Sequence, residues 1–146
     1  MPMRDAIHHV VKESRFLVLA TASSNLLHCS LMSYATDEPG HTFYMVTLRE
    51  TTKFRNLGRN GNVSLLIDTR MEKPDQWADR MMALTVDGEY MPVLDSKEEK
   101  LARTLLLERH PYLAEFLKEP DAVLVKVRAR SFLLLHGLKE AYYKAL

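Results

Sequence analysis

A single cysteine, Cys29, is all the thiol that this 146-residue chain carries. No internal disulfide framework can form, and a reducing compartment fits. Charge of one sign is equally scarce. Twenty Lys and Arg against nineteen Asp and Glu leave +1 at pH 7, which gives no overall field to draw in nucleic acid or an anionic membrane. No apolar run approaches the ~20 residues that span a bilayer. The opening stretch MPMRDAIHHVVKESR holds an acid and two histidines where a signal peptide needs an apolar core. Internal repeats and low-complexity segments are absent. The expectation is a cytoplasmic protein without nucleic-acid or membrane partners, folded as a single domain over residues 1–146.

Metal-ligand pairs are missing too. The six histidines are dispersed, and His8 and His9 are adjacent rather than one helical turn apart, so no metal site is expected. His28 and His41 flank two apolar segments and could meet in space. Cys29 has no paired base near it in sequence and reads as a buried strand thiol.

What is present is a regular alternation of short apolar segments. Residues Met3–Glu13 read as an amphipathic helix, with Ile7, Val10 and Val11 on one stripe. Phe16–Ala22 and Leu27–Ala35 read as strands around a Ser23-Ser24-Asn25 turn. After the break at residues 36–40, Thr42–Thr47 is an aromatic and β-branched strand. Thr51–Arg59 is a basic helix, Val63–Ile67 a strand, and Thr69–Asp79 a polar loop carrying Trp77, read as an anchor onto the fold or a cleft wall. Met81–Val93 is a long strand interrupted at Gly88, where a bulge is expected. Ser96 with Glu99 suggests a capping box opening a helix to about Glu108. A short helix Pro111–Leu117 and a closing strand from Val123, continuing towards Leu135, complete the chain. Antiparallel strands with short turns and segregated helices predict a barrel.

The stretch Thr42–Asp68 is the most informative. A strand feeds a helix whose start carries Thr51, Thr52 and Lys53, and Asn60-Gly61 breaks to the next strand. The first N–H groups of a helix have no intrahelical partner and its dipole favours negative charge there. Hydroxyls and an ammonium at the same end suit a phosphate, and Arg49, just before the helix, could reach it. Arg55 and Arg59, a like-charged pair one turn apart, read as a solvated face.

These segments resemble the pyridoxamine 5′-phosphate oxidase-like superfamily of FMN-binding split barrels. The residues that carry the resemblance are the "LAT" strand at Leu19–Thr21, the aromatic strand ending at Thr47, the Thr52-Lys53 helix start continuing as "KFRNL", "VSLLID" at Val63–Asp68, and "VDGEY" at Val86–Tyr90. The resemblance implies a mainly β (α+β) fold, an antiparallel split β-barrel with peripheral helices, and a homodimer with FMN in clefts at the subunit interface. It implies that Lys53 contacts the FMN phosphate and that Val46 and Thr47 lie along the flavin, with Ser30, Leu31, Met32 and Ser33 lining its other side. Met45 is a further candidate for a flavin face. Thr52 stands where full oxidases carry an arginine, and Ala83 where they carry a glutamine. The C-terminal arginine and histidine set that holds pyridoxine phosphate has no counterpart here.

The function expected on that resemblance is an FMN-dependent oxidoreductase acting on a small redox substrate, with NAD(P)H a candidate reductant, and not a true pyridoxine-phosphate oxidase. No catalytic residue is assigned. The alternatives are a haem-binding or haem-degrading split-barrel protein, for which His136 is the candidate axial ligand, and a flavin-binding carrier or sensor without turnover.

Overall fold

The computed structural model describes residues 2–69, 81–137 and 139–146. Its first helix, α1 (Met3–Glu13), buries Ala6, Ile7, Val10 and Val11, the stripe that the helical period requires. Strands β1 (Phe16–Ser23) and β2 (Leu26–Ser33) form an antiparallel hairpin. Its two-residue turn puts Ser24 and Asn25 at φ 52° and 65°, the mirror-image turn whose twist matches that of paired strands. The two-residue β3 (Ala35–Thr36) then pairs with β4 (Thr42–Leu48). Between them Asp37 Oδ1 accepts from the N–H groups of Gly40, His41 and Thr42 at 2.9, 2.9 and 3.1 Å. Gly40, at φ +77°, lies so close to Val11 that an added Cβ would stand 3.1 Å from its Cγ1.

Helix α2 (Thr52–Arg59) leads into β5 (Asn62–Asp68). Strand β6 (Met82–Met91) carries the expected bulge, a register shift between Asp87 and Gly88. A side chain at Gly88 would meet Val127 Cγ1 at 2.7 Å and the Arg128 carbonyl oxygen at 3.1 Å. Helix α3 (Ser96–Arg109) starts one residue earlier in its capping than the sequence suggests. Asp95 accepts from the Glu98 N–H at 2.9 Å, while Glu98 reaches back to the Leu94 N–H at 2.7 Å. A 3₁₀ turn (Pro111–Leu113) and the short α4 (Ala114–Leu117) follow. The closing strand β7 runs the full length of Ala122–His136 and folds back into β8 (Glu140–Ala145), a strand the sequence reading did not anticipate.

The sheet order is β2-β1-β5-β6-β7-β4-β3, with β8 on the second half of β7. All pairings are antiparallel. The sheet curls into the expected split barrel around a core that includes Leu17, Leu19, Met32, Phe43, Met45, Leu65, Leu84, Val125 and Leu134. Met45 is fully enclosed there, so it cannot offer a face to a ligand outside the core. Buried polar groups tie the helices on. The Tyr34 hydroxyl donates to the Val11 carbonyl at 2.6 Å, and Asn56 Nδ2 to Thr21 Oγ1 at 3.1 Å.

Outside β4 lies a second apolar cluster, in which Tyr44, Val46 and Leu124 pack on Ala102, Leu106 and Leu117. Outside β2, β1 and β5 the pattern is different. Register places Leu31 opposite Val18, Val18 opposite Leu66, Leu66 opposite Thr85, Thr85 opposite Leu133 and Leu133 opposite Tyr143. This outward row is largely apolar; Leu31 in it is 73% exposed, and Leu27 beside it 86%. Cys29 shares their parity and is exposed, correcting the expectation of a buried thiol. Its odd position in β2 turns it away from the core that Met32 enters. The loop of residues 70–80, with Trp77, lies outside the described residues. Among the described residues no helix is long and apolar enough to cross a membrane.

Candidate functional site

The end of β4 and the start of α2 build one wall of a cavity of about 230 Å³. Thr51 is the N-cap of α2. Its hydroxyl accepts from the Phe54 N–H at 3.3 Å and donates to the Leu48 carbonyl at 2.9 Å. With both roles engaged in closing the turn, Thr51 supports the site rather than lining it. The N–H groups of Thr52 and Lys53, at the first two helical positions, have no carbonyl a turn earlier to bond to. Lys53 lines the cavity and has no hydrogen bond or ion pair among the described residues.

Val46 and Thr47 of β4, Leu31, Met32 and Ser33 of β2, and Leu113 and Phe116 of the short helical turn join it in the described lining. Val46 and Thr47 are held nearly closed off, at 8% and 4% exposed. The mixture is one ammonium, two hydroxyls and an apolar wall. It can hold an anion at the Lys53 end and a flat apolar group beside it.

The structure thus brings together six of the ten residues that the sequence singles out: Leu31, Met32, Ser33, Val46, Thr47 and Lys53. It leaves out Ser30, Thr51, Thr52 and Arg49. Ser30 has the inward parity of Met32 but sits two residues earlier in β2. Thr52 and Arg49 are exposed, and the backbone N–H of Arg49 donates to the Asp121 carbonyl at 3.0 Å. Neither His28 nor His41 lines this cavity. His41 lies instead beside His8, Arg4 and Lys144 in a separate cavity of about 320 Å³ under α1. Among the described residues no cluster of His, Cys, Asp or Glu could hold a metal ion.

Two functional candidates escaped the sequence reading. His110, at the end of α3, is buried, and its Nε2 lies 2.7 Å from the Tyr34 carbonyl oxygen. Burial lowers its pKa, and Arg109 and Arg15 lower it further against the opposing pull of the Tyr34 carbonyl. Tyr112, in the 3₁₀ turn, places its hydroxyl 3.4 Å from His110 Nδ1 and 2.5 Å from Ser33 Oγ. The partners are separated by 76 and 79 residues in the chain, so no local pattern could have joined them.

A family model described as pyridoxamine 5′-phosphate oxidase matches residues 3–135. Solved structures of similar fold include a heme binding protein from Mycobacterium smegmatis, with a TM-score of 0.86 at 14% identity. That match covers 99% of this chain but only 58% of the other, so the chain spans little more than half of that relative's length. General Stress Protein 26 from Bacillus anthracis matches over 100% of both chains with a TM-score of 0.70 at 18% identity. HutZ, the heme storage protein of Vibrio cholerae, matches with a TM-score of 0.70 at 17% identity, over 97% of this chain and 94% of the other. At these identities the likeness is one of fold. No curated protein sequence matches.

Proposed function

The chain belongs to the pyridoxamine 5′-phosphate oxidase family, and from that membership we propose that it binds FMN in the cavity beside Lys53 and uses it in redox chemistry on a small substrate. The observation that carries the reading is Lys53 itself, an ammonium without a partner among the described residues, placed in a cavity at a helix start. The residues present fit the group. Lys53 and the free N–H groups of α2 suit a phosphate. Leu31, Met32, Val46, Leu113 and Phe116 suit a flat ring, with Thr47 and Ser33 as polar contacts. FMN would supply the hydride or electron transfer, and this chain the binding, orientation and exclusion of water.

A second copy of the chain completes the site in this reading. The cavity is smaller than the ~300–1,000 Å³ usual for ligand pockets, and Leu31 belongs both to it and to an apolar groove of about 560 Å³ with Phe16, Val18 and Leu66. Proteins that stay monomeric rarely leave such a face open, so the homodimer is expected with or without flavin. The described lining of the cavity offers one cation, which in this reading holds the FMN phosphate, and no second one for a substrate phosphate, and this argues against turnover of pyridoxine or pyridoxamine phosphate. A steady-state assay with pyridoxamine phosphate and oxygen is expected to show none at the ~1–1,000 per second of ordinary enzymes.

Haem is the rival ligand, since two of the proteins of similar fold are described as binding or storing it. The described lining of the Lys53 cavity offers no imidazole or thiolate. His136 stands 4.0 Å from Glu140 in the β7–β8 hairpin, outside that lining, and both ring nitrogens of His110 are engaged. The visible spectrum of the purified protein mixed with FMN, and separately with haem, decides. A perturbed flavin spectrum with quenched fluorescence is expected. A tight haem complex with no response to FMN would overturn the reading. Anaerobic reduction of the flavin complex by NADH or NADPH, then reoxidation by candidate acceptors, separates an oxidoreductase from a carrier or sensor.

A further inference from the structure

His110, Tyr112 and Ser33 form a hydrogen-bonded chain that begins at a backbone carbonyl and ends at the cavity. The direction of each bond follows from counting protons. The carbonyl oxygen of Tyr34 can only accept, so His110 Nε2, 2.7 Å away, carries a proton and donates it. A neutral imidazole has one N–H, and burial with two arginines close by keeps His110 neutral. Its Nδ1 is therefore a bare acceptor inside the protein, and an unmet acceptor there is costly. The Tyr112 hydroxyl, at 3.4 Å, is the donor that meets it. That uses the only phenolic proton. Ser33 Oγ, 2.5 Å from the same oxygen, must then donate to Tyr112. The serine proton is used in turn, and Ser33, which lines the cavity, keeps only lone pairs at Oγ to offer there.

We propose that the Tyr34–His110–Tyr112–Ser33 chain fixes Ser33 as a hydrogen-bond acceptor at the cavity, so that the site prefers a ligand whose bound edge carries an N–H or O–H donor. His110 and Tyr112 are positioning residues, acting through Ser33. The choice of probe rests on the flavin reading, because the imide N–H of an isoalloxazine ring is such a donor. Protonating His110 reverses every bond from Nδ1 onward. Nδ1–H then donates to Tyr112, Tyr112 to Ser33, and Ser33 turns its own proton to the cavity. The groups around His110 are Arg15, Arg109, the Tyr34 carbonyl, the Phe16 ring and Tyr112. Both arginines oppose that protonation.

The test titrates riboflavin and 3-methylriboflavin, which lacks the imide N–H, into wild type, Tyr112→Phe and Ser33→Ala between pH 5 and 8. Riboflavin is used because the FMN phosphate itself titrates near pH ~6. Wild type is expected to prefer riboflavin about three- to tenfold at pH 7.5, the worth of roughly one hydrogen bond. The preference should shrink as the pH falls below the ~6.5 of an ordinary histidine. Tyr112→Phe, at an exposed position, frees the serine proton and should reduce the preference and flatten its pH dependence. Ser33→Ala should abolish the preference. Equal affinity for the two flavins in wild type, or an unchanged preference in Tyr112→Phe, would overturn the proposal. Nitrogen NMR of His110 in the unliganded protein gives a readout that needs no flavin. The Nε2-protonated tautomer is required at pH 7.5, and the Nδ1-protonated form contradicts the chain even if flavin binds. Failure of FMN to bind while that tautomer is found would sink the flavin reading alone.

Discussion

Over β4 the outer face of the barrel is roofed by the chain's own helices, whereas over β2, β1 and β5 a comparable apolar row is left open among the described residues. The first face buries Tyr44 and Val46 under Ala102, Leu106 and Leu117. A polar tie crosses it. Glu98 of α3 accepts from the Tyr44 hydroxyl at 2.8 Å and lies 2.8 Å from the Lys126 ammonium. Burial alone would raise the Glu98 pKa, but hydrogen bonds from Lys126, the Leu94 N–H and Tyr44 bring it below the usual value. Tyr44 is pushed upward by burial and then by the Glu98 carboxylate. Among the described residues the second face has no such roof, and Leu27, Leu31 and Tyr143 are 86%, 73% and 64% exposed. A strand with one face in a core and one in water should alternate apolar and polar. Here, among the described residues, the alternation fails on the outside. The Lys53 cavity lies on the seam. Val46, Leu113 and Phe116 come from the roofed side, Leu31 and Ser33 from the open one.

If the open face is the dimer face, charges placed there should break the assembly and spare the fold. Leu27→Asp with Leu31→Asp removes two leucines from each copy, at about 1.5–3 kcal/mol for each fully buried side chain. Dimer affinity should fall by about a thousandfold or more. Sedimentation at micromolar concentration should report monomers with an unchanged far-ultraviolet spectrum. A variant that remains dimeric would remove the distinction between the two faces.

The roofed face should behave in the opposite way. Leu106→Ala leaves a hole between α3 and β4 and should cost about 2–5 kcal/mol of stability. A urea midpoint at fixed protein concentration reads the loss, and sedimentation of the folded variant should still give the wild-type assembly. A smaller effect comes from His110, behind the seam. Its pKa is lower folded than unfolded, so the unfolded chain takes up the proton first as the pH falls. The stability it contributes is complete above the ordinary histidine value of ~6.5 and is lost as the pH drops towards the folded value. Urea midpoints measured from pH 8 to 5 should show that slope in wild type and a shallower one in His110→Gln. Equal slopes would mean that His110 is not held neutral.

Much of the roofed side and the barrel could be read from the sequence, because each element there is signalled locally. The Ile7, Val10 and Val11 stripe, the Ser24-Asn25 turn, the Thr51 cap and the Gly88 bulge all follow from rules that span a few residues. The cap of α3 slipped by one residue because Asp95-Ser96 and Glu98-Glu99 offer two overlapping boxes, and Glu98 is also the residue that reaches Tyr44 and Lys126. Strand β8 was missed because its alternation, Ala141-Tyr142-Tyr143-Lys144, is short and polar, and it is held by pairing with β7 and by Tyr142 against the core. Cys29 was misread as buried because parity within β2 is fixed by Met32 entering the core, which sequence alone did not settle. The site was half legible. Lys53, Val46 and Thr47 are close in sequence, whereas Leu113 and Phe116 reach the cavity, and Tyr112 reaches Ser33 beside it, only through the packing of a distant turn.

In the flavin reading, Lys53 makes the seam cavity a phosphate site. FMN and riboflavin, titrated side by side into wild type and Lys53→Ala by flavin fluorescence quenching, test it most directly. Removing the ammonium should cost about 1.5–3 kcal/mol of FMN binding, roughly ten- to more than a hundredfold in affinity. Riboflavin, which has no phosphate, should bind both proteins equally. Equal FMN affinity in the two proteins, or an equal loss for both flavins, would contradict the account.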